Sequence, residues 1–300
     1  MASQRTRNRR TGSSRDRGAA YVAPTLDPNW QSPYAPSKEE REGHRRAVVN
    51  ATVQALRLRG VLVGAVVIAL LFAVLWQPLL AVVNLIVVSA LFGYDAYRQI
   101  SSAETKGERL GDLMLAAFAP GGNPVERRRL ITVLDRLAAT FGVNSVSAFI
   151  VSDPTYNAAL VPSGESYALY VTSAVMRDFE LIELEGVVAH LMARHRLGVL
   201  SREAAAAVLS LSPAKRQALA GVGLAYRADE VAAAAIRYPL GLASALRKCA
   251  RQVVSVDSFF ASATYDQWRY IFFDMHSDRR DNDVSDLDDV ELRAMALEEW

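Results

Sequence analysis

The stretch VVAHLMARH, Val187 to His195, decides how this chain is read. It sits in a predicted helix from Leu181 to about Leu197, apolar except for two imidazoles and one guanidinium. Residues four apart on a helix stand about 40° apart around the axis, so their side chains can converge on one ligand. His190 and His195 are five apart, about 140° around, and do not meet at one metal ion unless the helix bulges. On their own, two histidines so spaced indicate no more than a satisfied or solvent-facing pair.

The comparison that gives the stretch meaning is H-E-x-x-H, the helical pattern of zinc hydrolases. Its two imidazoles bind the ion and its Glu takes a proton from the metal-bound water. With His190 in the first slot, Leu191 stands where the general base belongs and Arg194 where the second ligand belongs. An arginine there is worse than a neutral residue, because its permanent positive charge repels the metal.

Working outward, Glu126 to Phe141 carries Leu130, Val133, Leu134, Leu137 and Phe141 on one helical face, and Gly142 stands where the helix stops. Val146 to Val151 is β-prone and ends at Asp153-Pro154. Asn157 to Val161 and Tyr167 to Val171 read as further strands about the turn Pro162-Ser163-Gly164, and Thr172 is placed to cap a short helix. After the VVAHLMARH helix, alanine-rich helices punctuated by Pro213 and Pro239 run to about Val254. A last helix is expected over Asp286 to Glu299, capped by Ser285, with Asp286, Asp288 and Asp289 at its positive end. Strands bunched early among many helices give an α+β class, mainly helical with a small sheet.

Toward the N-terminus, Val61 to Tyr94 is apolar but for Gln77-Pro78 near its middle and the polar Asn84 and Ser89. One helix of that length would reach roughly 50 Å, beyond a hydrocarbon core of about 30 Å. The proline breaks such a helix, so two membrane spans are expected at about 61–76 and 79–95, within a transmembrane hairpin over 48–98. Arg41, Arg45, Arg46, Arg57 and Arg59 precede the hairpin and Arg98, Lys106 and Arg109 follow it, while its turn carries no charge. Positive flanks stay on the cytoplasmic side, which places both the N-terminus and the C-terminal domain there, in a multi-pass inner-membrane protein whose first partner is the lipid bilayer. The basic residues 1–47 read as a disordered cytoplasmic flank with no specific nucleic-acid partner, residues 99–123 as a linker, and 124–300 as the folded domain.

In this order of parts the chain resembles the HtpX-like family of membrane zinc metalloproteases, gluzincin-type relatives of the CAAX prenyl endopeptidases. The resemblance rests on the hairpin and on Arg127 to Gly142, then Asn157-Ala158, Tyr170-Val171-Thr172-Ser173 and Glu183-Leu184-Glu185-Gly186-Val187-Val188-Ala189-His190. It continues through Tyr226-Arg227-Ala228-Asp229, similar to the family's E-x-x-A-D, then Tyr238-Pro239 and Leu242 to Leu246, and spans roughly residues 55 to 250. The resemblance implies a zincin-like domain whose third zinc ligand would stand at position 225, which is Ala225 here, with Asp229 kept from the supporting shell. Its catalytic set is therefore degenerate at Leu191, Arg194 and Ala225, and His190, Arg194, His195 and Asp229 form a vestigial site. Arg194 is expected to enter the space a metal would fill and pair with Asp229 near Glu230; the alternative is a solvated Arg194 without specific contacts.

The functional expectation is a pseudoprotease without catalytic residues, metal or other cofactor. It would bind membrane-protein segments or a peptide partner in the former substrate groove, or regulate an active relative. Two rivals stand beside it: an active zinc metalloendopeptidase with the displaced ligands His190, His195 and Glu230, and a purely structural membrane assembly protein.

Composition bounds the remainder. The 300 residues include four histidines and one cysteine, so a disulfide within the chain and a thiolate metal cluster are both excluded. The net charge of +2 is modest, whereas the 51% hydrophobic content is high for a soluble chain and is explained by the apolar stretch. His276 reads as a surface histidine beside carboxylates, Cys249 as a small core residue, and Asp278 to Asp289 as a solvated connector lacking the glycine of a calcium loop. The aromatics from Phe259 to Phe273 read as packing or a partner surface.

Overall fold

The computed structural model describes residues 36–73, 86, 89, 90, 93, 94, 110–143, 145–209, 211–221, 223–275 and 290–300. Helix α1 spans Lys38–Ala73 and opens on a reciprocal cap. The Ser37 hydroxyl accepts from the Glu40 amide at 3.1 Å, and the Glu40 carboxylate accepts from the Ser37 amide at 2.9 Å. The expected basic flank therefore ends earlier than residue 47. Lys38 onward is helical because the cap starts it, and Ala47, Val48, Ala51 and Ala55 pack against a buried apolar cluster. Residues 61–73 of the first expected span form the last part of α1; the second, 79–95, lies outside the described residues except for 86, 89, 90, 93 and 94. Among the described residues no helix is long and apolar enough to cross a membrane.

Helix α2, Leu110–Ala117, falls in the stretch expected to be a linker and is instead part of the folded body. Leu110 and Met114 are fully buried, and the Tyr170 hydroxyl donates to the Gly111 carbonyl at 2.6 Å. Helix α3, Pro124–Phe141, begins on an Asn123 capping box and ends at Gly142 in the left-handed region (φ 62°), where the sequence places its stop.

The sheet has three strands, β1 (Val146–Val151), β2 (Ala158–Ser163) and β3 (Ser166–Thr172), in the order β1-β3-β2. β3 runs parallel to β1 and antiparallel to β2, with Leu169 opposite both Ala148 and Leu160. Alternation along β3 divides the core. Leu169 and Val171 face the cluster formed with α3 and the later helices, while Ala168 and Tyr170 face Leu110, Met114 and Phe272. Burial on both faces explains why the strands read as unbroken apolar runs. Short α4 (Ser173–Asp178) starts after Thr172, whose hydroxyl accepts from the Asn157 amide at 3.2 Å instead of capping the helix.

Helix α5, Leu181–Arg196, carries the VVAHLMARH stretch through the middle of the domain. It is followed by α6 (Leu200–Val208), α7 (Pro213–Ala220), α8 (Leu224–Ile236) and α9 (Pro239–Arg251). Pro213 and Pro239 lie in the first turns of α7 and α9, where a missing amide donor costs nothing. Glycine sets one of these packings: a Cβ on Gly186 would lie 2.8 Å from the Leu242 amide nitrogen and Cα, so α9 crosses α5 backbone to backbone. α10 (Ala263–Trp268) lies between two single 3-10 turns, and α11 (Val290–Glu298) packs on α8 and α9. The described part of the last helix starts at Val290. Ser285, Asp286, Asp288 and Asp289, with His276 and the Asp278 to Asp289 run, lie outside the described residues. The architecture is mainly helical with a small mixed sheet, an α+β fold.

Candidate functional site

Helix α5 is buried on all sides through its middle, and the site residues follow from which way each position points. His190 is buried, its ring edge-on to Phe273, with Nδ1 2.7 Å from Oδ1 of Asp229 on α8. Burial lowers the imidazole pKa to about 4 against the pull of Asp229, so the ring is neutral at pH 7. A carboxylate only accepts, so Nδ1 carries the proton and Nε2 keeps its lone pair. Asp229 is shared. Arg293 from α11 donates through Nε to Oδ2 at 2.6 Å and through Nη2 to Oδ1 at 2.9 Å. Burial alone would raise the Asp229 pKa, but Arg293 and then His190 outweigh it and hold the carboxyl below its usual value.

Arg194 corrects both expectations made for it. It is only 2% exposed, so it is not solvated. Nor does it pair with Asp229, whose oxygens are already occupied by Arg293 and His190. Its partner is Glu203 on α6: Nε donates to Oε1 at 3.0 Å, and Nη2 stands 2.8 Å from Oε2. The remaining donors reach main-chain carbonyls, Nη1 to Phe272 at 3.1 Å and Nη2 to Tyr270 at 2.5 Å. Burial pushes the Glu203 carboxyl above its usual pKa and Arg194 only partly opposes this.

The two carbonyls belong to a segment that pairs with the start of β2 on its free edge. Ala159 and Phe272 form an antiparallel bridge, and the Phe273 amide donates to the Ala158 carbonyl at 2.7 Å. Asn157 continues the pairing with its side chain, donating to the Asp274 carbonyl at 3.0 Å and accepting from the Asp274 amide at 3.1 Å. Residues 272–274 of the chain itself thus occupy the strand edge at Asn157 to Ala159, the start of β2.

The other expected positions separate. Leu191 is fully buried in the apolar core. His195 points elsewhere than His190, as its helical phase requires in a regular α5. It meets Tyr167 edge-on at 4.4 Å; Nδ1 is buried without a hydrogen-bond partner among the described residues; and burial, with Arg196 nearby, lowers its pKa to about 4. Glu230 is exposed. The displaced set His190, His195 and Glu230 is therefore not gathered at one point. Ala225, in contrast, does line the same partly open cleft as His190, Arg194 and Glu203, a small space with a cavity volume of about 20 Å³.

These groups do not suit zinc. His190 has one free ring nitrogen, Arg194 brings a cation, Ala225 brings no donor, and among the described residues no three of His, Cys, Asp and Glu are arranged to hold a metal ion. The aromatic run is packing: Phe260 meets Tyr265 and Phe272 edge-to-face, and Tyr265 and Phe272 pack at a tilt, in the second core cluster. Cys249 is buried, its Sγ 3.7 Å from the Tyr156 carbonyl. Glu203, Arg293 and the 270–274 segment were not identified from sequence. No family profile, no curated protein and no solved structure matches this chain.

Proposed function

We propose that this chain is a catalytically silent relative of the HtpX-like membrane zinc metalloproteases, carried by a hairpin at 61–76 and 79–95 with its folded domain cytoplasmic. It acts by binding membrane-protein segments or a regulatory partner. The observation that carries the reading is the cleft itself. Positions 190, 194 and 225, which the resemblance assigns to three ligands, line one space, yet hold one histidine, one arginine and one alanine. His190 keeps the carboxylate partner that fixes the tautomer of a metal-binding imidazole, as expected of an inherited support. Leu191 supplies no base. The donors of Arg194 are used within the protein, so the former ligand position now ties α5 to α6 and to the 270–274 segment. A client would meet the open rim of the cleft, beside Gln217, Gly221 and Met275.

Metal analysis of the purified full-length chain tests this. Less than about a tenth of an equivalent of zinc, with no chelator-sensitive cleavage of an unfolded protein substrate, is expected. Stoichiometric zinc together with chelator-sensitive cleavage overturns the reading. The same cleft predicts that the triple variant Leu191→Glu/Arg194→His/Ala225→Glu gains zinc binding, with Glu203 left free to join the coordination.

A further inference from the structure

One wall of the cleft is the corner where α7 turns into α8, lined by Gln217, Ala220, Gly221 and Leu224. That corner is held from outside by α1. Ala47, Val48, Ala51 and Ala55 pack on Ala205, Leu209, Leu219 and Ala220, and Glu40 pairs with Arg227 of α8 at 2.7 Å. A second polar contact of α1 is made by the half-buried His44. Its Nδ1 stands 3.3 Å from Arg202 Nη1. Arg202 in turn donates to the Leu219 carbonyl at 2.8 Å and the Ala218 carbonyl at 3.4 Å, so the histidine grips the residue that fastens α7.

We propose that α1 is an acid-released strap over this wall of the cleft, with His44 as its titrating catch. The docked geometry requires a neutral ring, because Nδ1 must accept from Arg202. A proton there sets donor against donor and cation against cation at 3.3 Å. The charged groups facing His44 are Arg202 from α6, Arg227 from α8 and Glu40 from α1 itself; the two cations oppose protonation and the carboxylate favours it. Burial, then Arg202, lower the imidazole pKa in the docked state. The docked form therefore binds fewer protons than the released form. Strap stability is complete above the free value of about 6.5 and is lost as pH falls below it. Since α1 continues directly into residues 61–73, the strap is also the arm leading to the proposed membrane spans. The inference deepens the reading of the cleft as a binding site, naming what governs its wall, but its test involves neither metal nor client.

Hydrogen exchange of the full chain in detergent micelles, corrected for intrinsic rates, reads the opening equilibrium directly. Between pH 7.5 and 5.5 a single histidine of free pKa about 6.5 changes that equilibrium by up to about tenfold. Protection of residues 40–55 and 213–221 is expected to fall together by up to that factor, while Val187 to Ala193 in α5 serves as an internal reference. The His44→Gln variant, which stays neutral, is expected to remove the pH dependence from both segments. Protection independent of pH in the wild type, an unchanged acid loss in His44→Gln, or loss in α1 with α7 unaffected each overturns the proposal.

Discussion

Replacing Arg194 by methionine is the sharpest probe of the domain. The side chain is 2% exposed and holds Glu203, the Tyr270 carbonyl and the Phe272 carbonyl. Its removal leaves a buried carboxylate unpaired and two carbonyls without donors. Breaking one partner of a buried pair costs about 3–5 kcal/mol. At about 2–4 °C per kcal/mol for a domain of this size, the melting temperature should fall by about 6–20 °C. The loss should also depend on pH. Burial already holds the Glu203 carboxyl above its usual range, and without the guanidinium it rises further. A carboxyl whose folded pKa is raised favours the folded state most while protonated, so the variant should lose stability as pH rises from about 4.5 toward neutrality. Adding Glu203→Leu removes the buried charge and should recover part of the loss, leaving the two carbonyls at about 1–3 kcal/mol each as an upper bound. Thermal melts of the four chains of this double-mutant cycle, at pH 5 and 7.5, provide the check. An Arg194→Met melting temperature within about 2 °C of wild type at both pH values would refute the assignment of Arg194 as a buried tie.

Three further outcomes follow from the same geometry. Asp229→Asn leaves Arg293 without its carboxylate and should cost about 3–5 kcal/mol; protease digestion should then cut ahead of α11 sooner than in wild type, and an unchanged cleavage pattern would show that Arg293 does not anchor that helix. Gly186→Ala brings a methyl to 2.8 Å from the Leu242 backbone and should destabilise by about 1–3 kcal/mol in denaturant titration; a neutral effect would mean that α5 and α9 separate without penalty. His195 has its pKa lowered to about 4 by burial, so the folded state takes up its proton later than the unfolded chain and stability falls as pH drops from about 6.5 toward 4. His195→Phe should flatten that slope by up to one proton, about 1.4 kcal/mol per pH unit; a slope identical to wild type would place the acid sensitivity elsewhere.

The secondary elements were legible because local signals agree with tertiary demands. Apolar periodicity in Leu130 to Phe141, the αL stop at Gly142 and the helix-starting prolines Pro213 and Pro239 all fall where the structure uses them. Asp229 was named from the resemblance with Arg194 as its expected partner, whereas the structure pairs it with His190 and Arg293. The partner of Arg194 was not legible. Glu203 sits beside Arg202 in an alanine-rich helix where such a charged pair reads as solvent-facing, and its burial depends on how α6 folds back on α5 after a turn at Gly198. Arg293 lies in a helix rich in acidic residues, where a cation reads as a solvent-facing partner of its neighbours, and 64 positions separate it from Asp229. The pairing of residues 272–274 with the start of β2 was hidden for a related reason. Phe272 and Phe273 advertise burial, but main-chain pairing at a strand edge leaves no mark in side-chain pattern. The α2 helix was missed because a short apolar segment between charged residues resembles a connector until a sheet face is available to cover it.

Arg293 has an implication for how the molecule is made. Asp229 leaves the ribosome long before the guanidinium that balances it, so a growing polypeptide carries an interior negative charge facing only a neutral imidazole. Asp229 gains its cation only once Val290 to Glu298 has been synthesised and has folded back onto it. Completion of this contact thereby waits for a segment 64 positions downstream of Asp229, and a ribosome stalled between the two holds an unbalanced carboxylate.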